Sequence, residues 1–125
     1  MKKSCFLLLL LTIALTMHAQ SGKQLRHVVL FKFKTTATEA QIKTVEAAFR
    51  QLPAQIKTIK GFEWGTNNSP EGLNEGLTHC FFVTFASEKD RNDYLPHPAH
   101  KAFVEKLDGL LDKAVVVDYW ATDQQ

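Results

Sequence analysis

Four histidines and one tyrosine carry the chemistry open to this sequence: His27, His79, His97, His100 and Tyr94. An imidazole can take up and return a proton near neutral pH, and a phenol can donate a hydrogen bond to a carbonyl oxygen without ionising. The densest group is Tyr94-Leu95-Pro96-His97-Pro98-Ala99-His100. Two prolines forbid one continuous helix through it, and Pro98 suits the first position of a new one. On a helix begun there, His100 shares a face with Phe103 and Leu107, so its ring is turned inward. With Tyr94 holding a carbonyl or steering the imidazole, such a histidine suits proton abstraction next to that carbonyl and intramolecular aldol closure, with no cofactor. A second reading stands beside it: His100 bonded to a backbone carbonyl and holding the corner in place, because buried polar groups need partners whether or not they catalyse. For His27 and His79 the alternative is packing at a strand end. Zinc is not expected, since the four histidines have no carboxylate at a recognisable spacing. Cys80 lies among apolar strand residues and reads as a buried thiol, not a nucleophile.

The elements that must position these groups are legible from periodicity. From His27 to Lys34 the chain alternates, with His27, Val29, Phe31 and Phe33 on one face and Val28, Leu30, Lys32 and Lys34 on the other. Thr38-Glu39-Ala40-Gln41 has capping-box spacing, and Ile42, Val45, Phe49 and Leu52 follow at helical steps, predicting a helix that ends at Pro53. Phe62 to Gly65 is a short strand closed by Asn67-Asn68-Ser69-Pro70, and Thr78 to Phe85 is another, with His79, Phe81, Val83 and Phe85 on one face. A helical turn starts at Ser87. The helix from Pro98 has the stripe Ala99, Ala102, Phe103, Leu107, Leu110 and Leu111, and a Val-rich strand from Ala114 to Trp120 closes the chain. The order is β-α-β, then β-α-β. Each half opens on a histidine followed by apolar residues at every second position. The class expected is α+β, a ferredoxin-like split βαβ sandwich with the two histidine-bearing strands adjacent at its centre and His27 and His79 at the same end. Two helices cover one sheet face only. The other, carrying Val28, Leu30, Cys80, Phe82 and alternate residues of the last strand, is too apolar to leave wet, which predicts a homodimer through that uncovered face.

Met1-Lys2-Lys3-Ser4 is cationic, and Cys5 to Met17 is apolar without a charge. That run falls short of the roughly 20 residues a membrane span needs. With Ala19 behind it, it reads as a cleavable signal peptide over residues 1–19, followed by a tail over 20–26 and one domain over 27–121. The expected address is outside the cytoplasm, periplasmic or secreted, with no stable membrane anchor after cleavage. About 105 residues then remain, enough for one domain with a modest core. The 15 Lys and Arg against 13 Asp and Glu are interleaved along the chain, which excludes the clustered basic footprint of a nucleic-acid binder.

His27-Val28-Val29-Leu30-Phe31-Lys32-Phe33-Lys34, Trp64-Gly65, Thr78-His79, Phe85-x-Ser87, Tyr94-Leu95-Pro96-His97-Pro98-Ala99-His100 and Val117-Asp118-Tyr119 together resemble the stress-responsive α/β-barrel (Dabb) family, from His27 to about Trp120. The resemblance implies a dimeric α+β barrel. It also implies kinship with plant stress-induced proteins and with olivetolic acid cyclase, a cofactor-free polyketide cyclase. By that likeness Tyr94 and His100 take the positions of the working tyrosine and histidine, and His27 that of a pocket histidine. Val29, Phe31, Val45, Phe49, Phe81 and Leu111 become pocket walls, with His79 and His97 counted among the pocket histidines. Three functions follow as expectations: an exported enzyme or binder of a small hydrophobic carbonyl or phenolic compound, a non-catalytic stress or assembly module, and, by analogy of fold alone, a cofactor-independent monooxygenase. A core closed by Phe31, Phe49, Phe81 and Phe103 would favour the module, and a cavity of a few hundred cubic ångströms reaching His100 would favour a ligand.

Overall fold

The computed structural model describes residues 22–122. The expected signal peptide, residues 1–19, lies outside the described residues. Strand β1 (Leu25–Phe33) leads through a short turn to helix α1 (Glu39–Gln55), and β2 (Gly61–Thr66) and β3 (His79–Phe85) follow. Helices α2 (Glu88–Tyr94) and α3 (Pro98–Glu105) then precede β4 (Leu111–Trp120). The strands form one sheet in the order β2-β3-β1-β4 with every neighbouring pair antiparallel, the ferredoxin-like arrangement.

Local chemistry sets the helix starts. Thr38 and Gln41 form a reciprocal capping box at the head of α1, Ser87 caps α2 through Asp90 N–H, and Pro98 opens α3. The buried stripe of α1 is Val45, Phe49 and Leu52, with Ile42 only half-buried at its start. Contrary to the expectation from Pro53, α1 runs two residues further, to Gln55. A proline in a last turn removes one N–H, and the ladder closes beyond it, Ile56 N–H donating to Leu52 C=O at 2.8 Å. Helix α3 is shorter than its apolar spacing predicts. It stops at Glu105, Ala102 is exposed, and the turn through Gly109, in the left-handed region at φ 72°, reverses the chain so that Leu111 already belongs to β4.

Alternation gives the sheet two unlike faces. His27, Val29 and Phe31 of β1 and Phe81, Val83 and Phe85 of β3 are buried beneath the helices, where Phe49 stacks on Phe81 at 4.2 Å between ring centroids. On the far face Val28, Leu30, Cys80 and Phe82 are half-buried, while Val117 and Tyr119 are exposed. One topological expectation is corrected: because β1 and β3 run antiparallel, His27 pairs with Val83 and His79 with Phe31, so the two histidines lie at opposite ends of the strand pair.

Candidate active site

The register of β1 with β4 sets His27 opposite Asp118 on the helix-covered face. Imidazole Nδ1 lies 2.6 Å from Asp118 Oδ1. The other carboxylate oxygen accepts from Arg91 Nη1, reaching over from α2, at 2.7 Å. A carboxylate only accepts, so Nδ1 is the donating nitrogen and Nε2 is the one turned away from Asp118. His27 is buried, its ring edge-on to Phe85 at 6.2 Å and to Tyr94 at 5.8 Å.

Tyr94 ends α2 and is 1% exposed, yet its hydroxyl has no hydrogen-bond partner among the described residues. Burial pushes the phenol well above its ordinary value, so it stays protonated and is a donor. His100 sits in the first turn of α3, 4.3 Å from Tyr94 between ring centroids, with Nδ1 2.9 Å from the Leu95 carbonyl. That carbonyl can only accept, which leaves Nε2 unprotonated. Burial lowers the pKa of His100; the Leu95 bond opposes this, and His27 and His97 add to it. At neutral pH His100 is a neutral imidazole with a free base nitrogen.

These groups converge on one cavity of about 320 Å³. His27, Tyr94, His100 and Asp118 form its polar part, and of the expected walls Val29, Phe31, Phe49 and Leu111 line it. Four expected pocket residues do not. Val45 and Phe81 are packed into the core, where neighbouring side chains take up their surface. His97 caps α3, its Nδ1 accepting from Ala99 N–H at 3.1 Å. His79 lies at the far end of the sheet, held by Glu46 at 3.0 Å and Thr78 at 2.8 Å, its ring parallel to Trp64. Asp118, Arg91, Val104 and Val116 had no assigned role in the sequence, though Val117-Asp118-Tyr119 was among its motifs, and Phe103 and Leu107, read there as the inward stripe beside His100, line the cavity as well. Pairing the last strand antiparallel to β1 with Trp120 opposite Leu25 is the signal that finds Asp118. A larger recess of about 360 Å³ lies under the β2–β3 loop. Its asparagines tie the loop to itself, Asn74 donating to Leu77 C=O and Asn67 accepting from Ser69 N–H, and its one histidine, His79, is held by Glu46 and Thr78.

The sequence pattern of the stress responsive A/B barrel domain matches residues 25–121. The chain belongs to that family. Among curated relatives, the stress-response A/B barrel domain-containing protein HS1 of Arabidopsis thaliana is 37% identical over 97 residues, covering 78% of this chain and 89% of that protein. Olivetolic acid cyclase of Cannabis sativa is 33% identical over 94 residues, covering 75% and 93%. The structure is similar to that of a hydroxynitrile lyase from Passiflora edulis, at TM-score 0.77, 25% identity and coverage of 83% and 98%. It is similar also to a dimeric ferredoxin-like protein of unknown function from Bacteroides fragilis, at TM-score 0.65, 27% identity and coverage of 78% and 96%. The family thus includes a cyclase, a lyase is close to this chain in structure, and the family supports a ligand-binding or catalytic role for this domain.

Proposed function

We propose that this Dabb domain binds a small hydrophobic carbonyl or phenolic compound in the cavity and carries out cofactor-free, cyclase- or lyase-like proton transfer on it. One observation carries the reading: a buried, unpartnered Tyr94 hydroxyl beside the neutral His100, at the polar end of an otherwise apolar cavity. A buried hydroxyl without a partner costs stability, and a ligand oxygen would satisfy it.

In the reaction Tyr94 donates to the substrate carbonyl oxygen, where negative charge grows as a neighbouring proton leaves. Nε2 of His100 takes that proton from carbon, or from a hydroxyl where a carbon–carbon bond is to break. The apolar walls exclude water and hold a hydrocarbon tail of a few carbons. Likeness to a cyclase and a lyase supports this class of chemistry and leaves the substrate to be identified.

The working unit in this proposal is a homodimer closed through the uncovered sheet face. Its support is the exposed Val117 and Tyr119 and the dimeric description of the Bacteroides relative. The apolar N-terminal run is the support for placing the domain outside the cytoplasm.

The test is titration of the protein with benzaldehyde, 4-pentylphenol and racemic mandelonitrile, followed by calorimetry and, for mandelonitrile, by benzaldehyde release. Binding weakened in His100→Ala and Tyr94→Phe but kept in Glu46→Ala is the expected result. Saturable binding to none of the three, or equal binding by all variants, would return the domain to the non-catalytic module.

A further inference from the structure

The cavity holds two imidazoles, and their surroundings differ in kind. The Nδ1–H of His100 is spent on the backbone carbonyl of Leu95, a dipole without net charge. That of His27 is spent on the Asp118 carboxylate, which Arg91 grips through its second oxygen. We infer that His27, Asp118 and Arg91 form a proton-holding unit facing His100, so that His100 works as the base and His27 as the acid of one two-proton reaction. The inference rests on the proposed use of the cavity and specifies its substrate class: compounds in which a carbon–carbon bond breaks or forms beside a hydroxyl or carbonyl carbon.

The argument is electrostatic and geometric. A proton placed on Nε2 of His100 creates a cation with a carbonyl dipole and the imidazoles of His27 and His97 nearby, and no carboxylate paired to it. Placed on Nε2 of His27, it creates a cation whose Nδ1 already faces a carboxylate at 2.6 Å. Arg91 offsets part of that carboxylate's charge but fixes its plane, with both its own side chain and that of Asp118 mostly shielded from water. The groups facing His27 are Asp118, Arg91, Tyr94 and His100, and only Asp118 brings negative charge. Two titrating groups held in different environments divide into acid and base.

In the bond-breaking direction, Nε2 of His100 takes the hydroxyl proton and the O–H electron pair becomes the second C–O bond. The carbon–carbon pair departs with the leaving carbanion or cyanide, and the Nε2 proton of His27 neutralises that anion. Solvent then returns a proton to His27 and removes one from His100. Bond formation runs the same steps in reverse. Asp118 and Arg91 are positioning residues here, acting through His27.

The test has two readouts. In imidazole ¹⁵N NMR of the protein without ligand, Asp118→Asn, which removes the one anion facing the ring, is expected to lower the pH midpoint of His27. Arg91→Gln, which frees the carboxylate from its competitor, is expected to raise it. With racemic mandelonitrile as probe, Asp118→Asn is expected to lower kcat about 10²-fold with KM within a factor of about three, and to alter the acid limb of the pH profile. An unchanged His27 midpoint in Asp118→Asn, or shifts of the same sign in the two variants, overturns the inference. So does an unchanged kcat with mandelonitrile. If the wild type does not turn over mandelonitrile, that result counts against the lyase form of the proposed function, and the two midpoints alone decide this inference. Should Asp118→Asn not fold, His27→Gln replaces it, and an unchanged kcat in that variant equally overturns the assignment.

Discussion

The ring of Tyr94 lies 4.3 Å from that of His100, and the Tyr94 hydroxyl is buried without a hydrogen-bond partner among the described residues. A polar atom kept dry and unpaired lowers stability, so Tyr94→Phe is expected to leave the unfolding free energy unchanged or to raise it by about 1 kcal/mol. The same change removes the donor meant for a ligand oxygen, and benzaldehyde affinity is expected to fall about 5- to 10-fold. Urea unfolding and calorimetry on one preparation check both halves. Loss of stability with affinity intact would mean that the hydroxyl serves the fold.

His100 supplies a pH dependence whose sign follows from its burial. Its folded pKa lies below the ordinary 6.5 because burial disfavours the imidazolium. Below that value the unfolded chain binds a proton that the folded one refuses. The stability His100 contributes is therefore complete above about pH 6.5 and is lost as pH falls through the folded value. Unfolding midpoints of wild type and His100→Gln at pH 7.5 and pH 5.5 test this: the acid-induced drop should be smaller in the variant. An equal drop in both would assign the pH dependence to other groups.

Strand and helix identity was legible because alternation and helical spacing are written directly in the apolar residues, as in His27-x-Val29-x-Phe31 and Val45 to Phe49 to Leu52. Direction was not. The repeated histidine pattern suggested neighbouring ends for His27 and His79, and antiparallel pairing separates them, since alternation carries no polarity. The apolar stripe past Phe103 read as helix because Leu107 and Leu110 pack on the core from a turn at helical-looking intervals. Asp118 stayed without a role for the same reason as His79 gained one: a register between distant strands decides which side chains meet, and single-strand patterns do not contain it.

The uncovered sheet face makes the dimer testable by one charge. Val117 is half exposed and sits opposite Val28 on the edge strand of that face. Glutamate there costs the isolated domain little, since the position is already open to water, but would place an unpaired carboxylate in a closed interface. Sedimentation at micromolar concentration should give a dimer for wild type and a monomer for Val117→Glu, with the same far-UV spectrum. A wild type that sediments as a monomer would dispose of the dimer.

His79 and His27 occupy equivalent positions in their halves of the sequence, and the structure gives them opposite surroundings. His79 is tied to Glu46 of α1 and to Thr78, four residue pairs along the sheet from His27 and outside the Tyr94–His100 cavity. Its network joins α1 to β3, so Glu46→Ala removes the Nε2 partner of a buried ring. The cost is expected near 1 kcal/mol, because Glu46 is partly open and water can take its place. Ligand affinity in the cavity should stay within about twofold, since the two sites share no hydrogen-bond partner. His27→Gln should do the reverse where function is read, lowering mandelonitrile turnover far more than Glu46→Ala does. Measured side by side, equal losses of turnover in the two variants would show that the ends of the sheet are coupled and that the cavity is not a self-contained site.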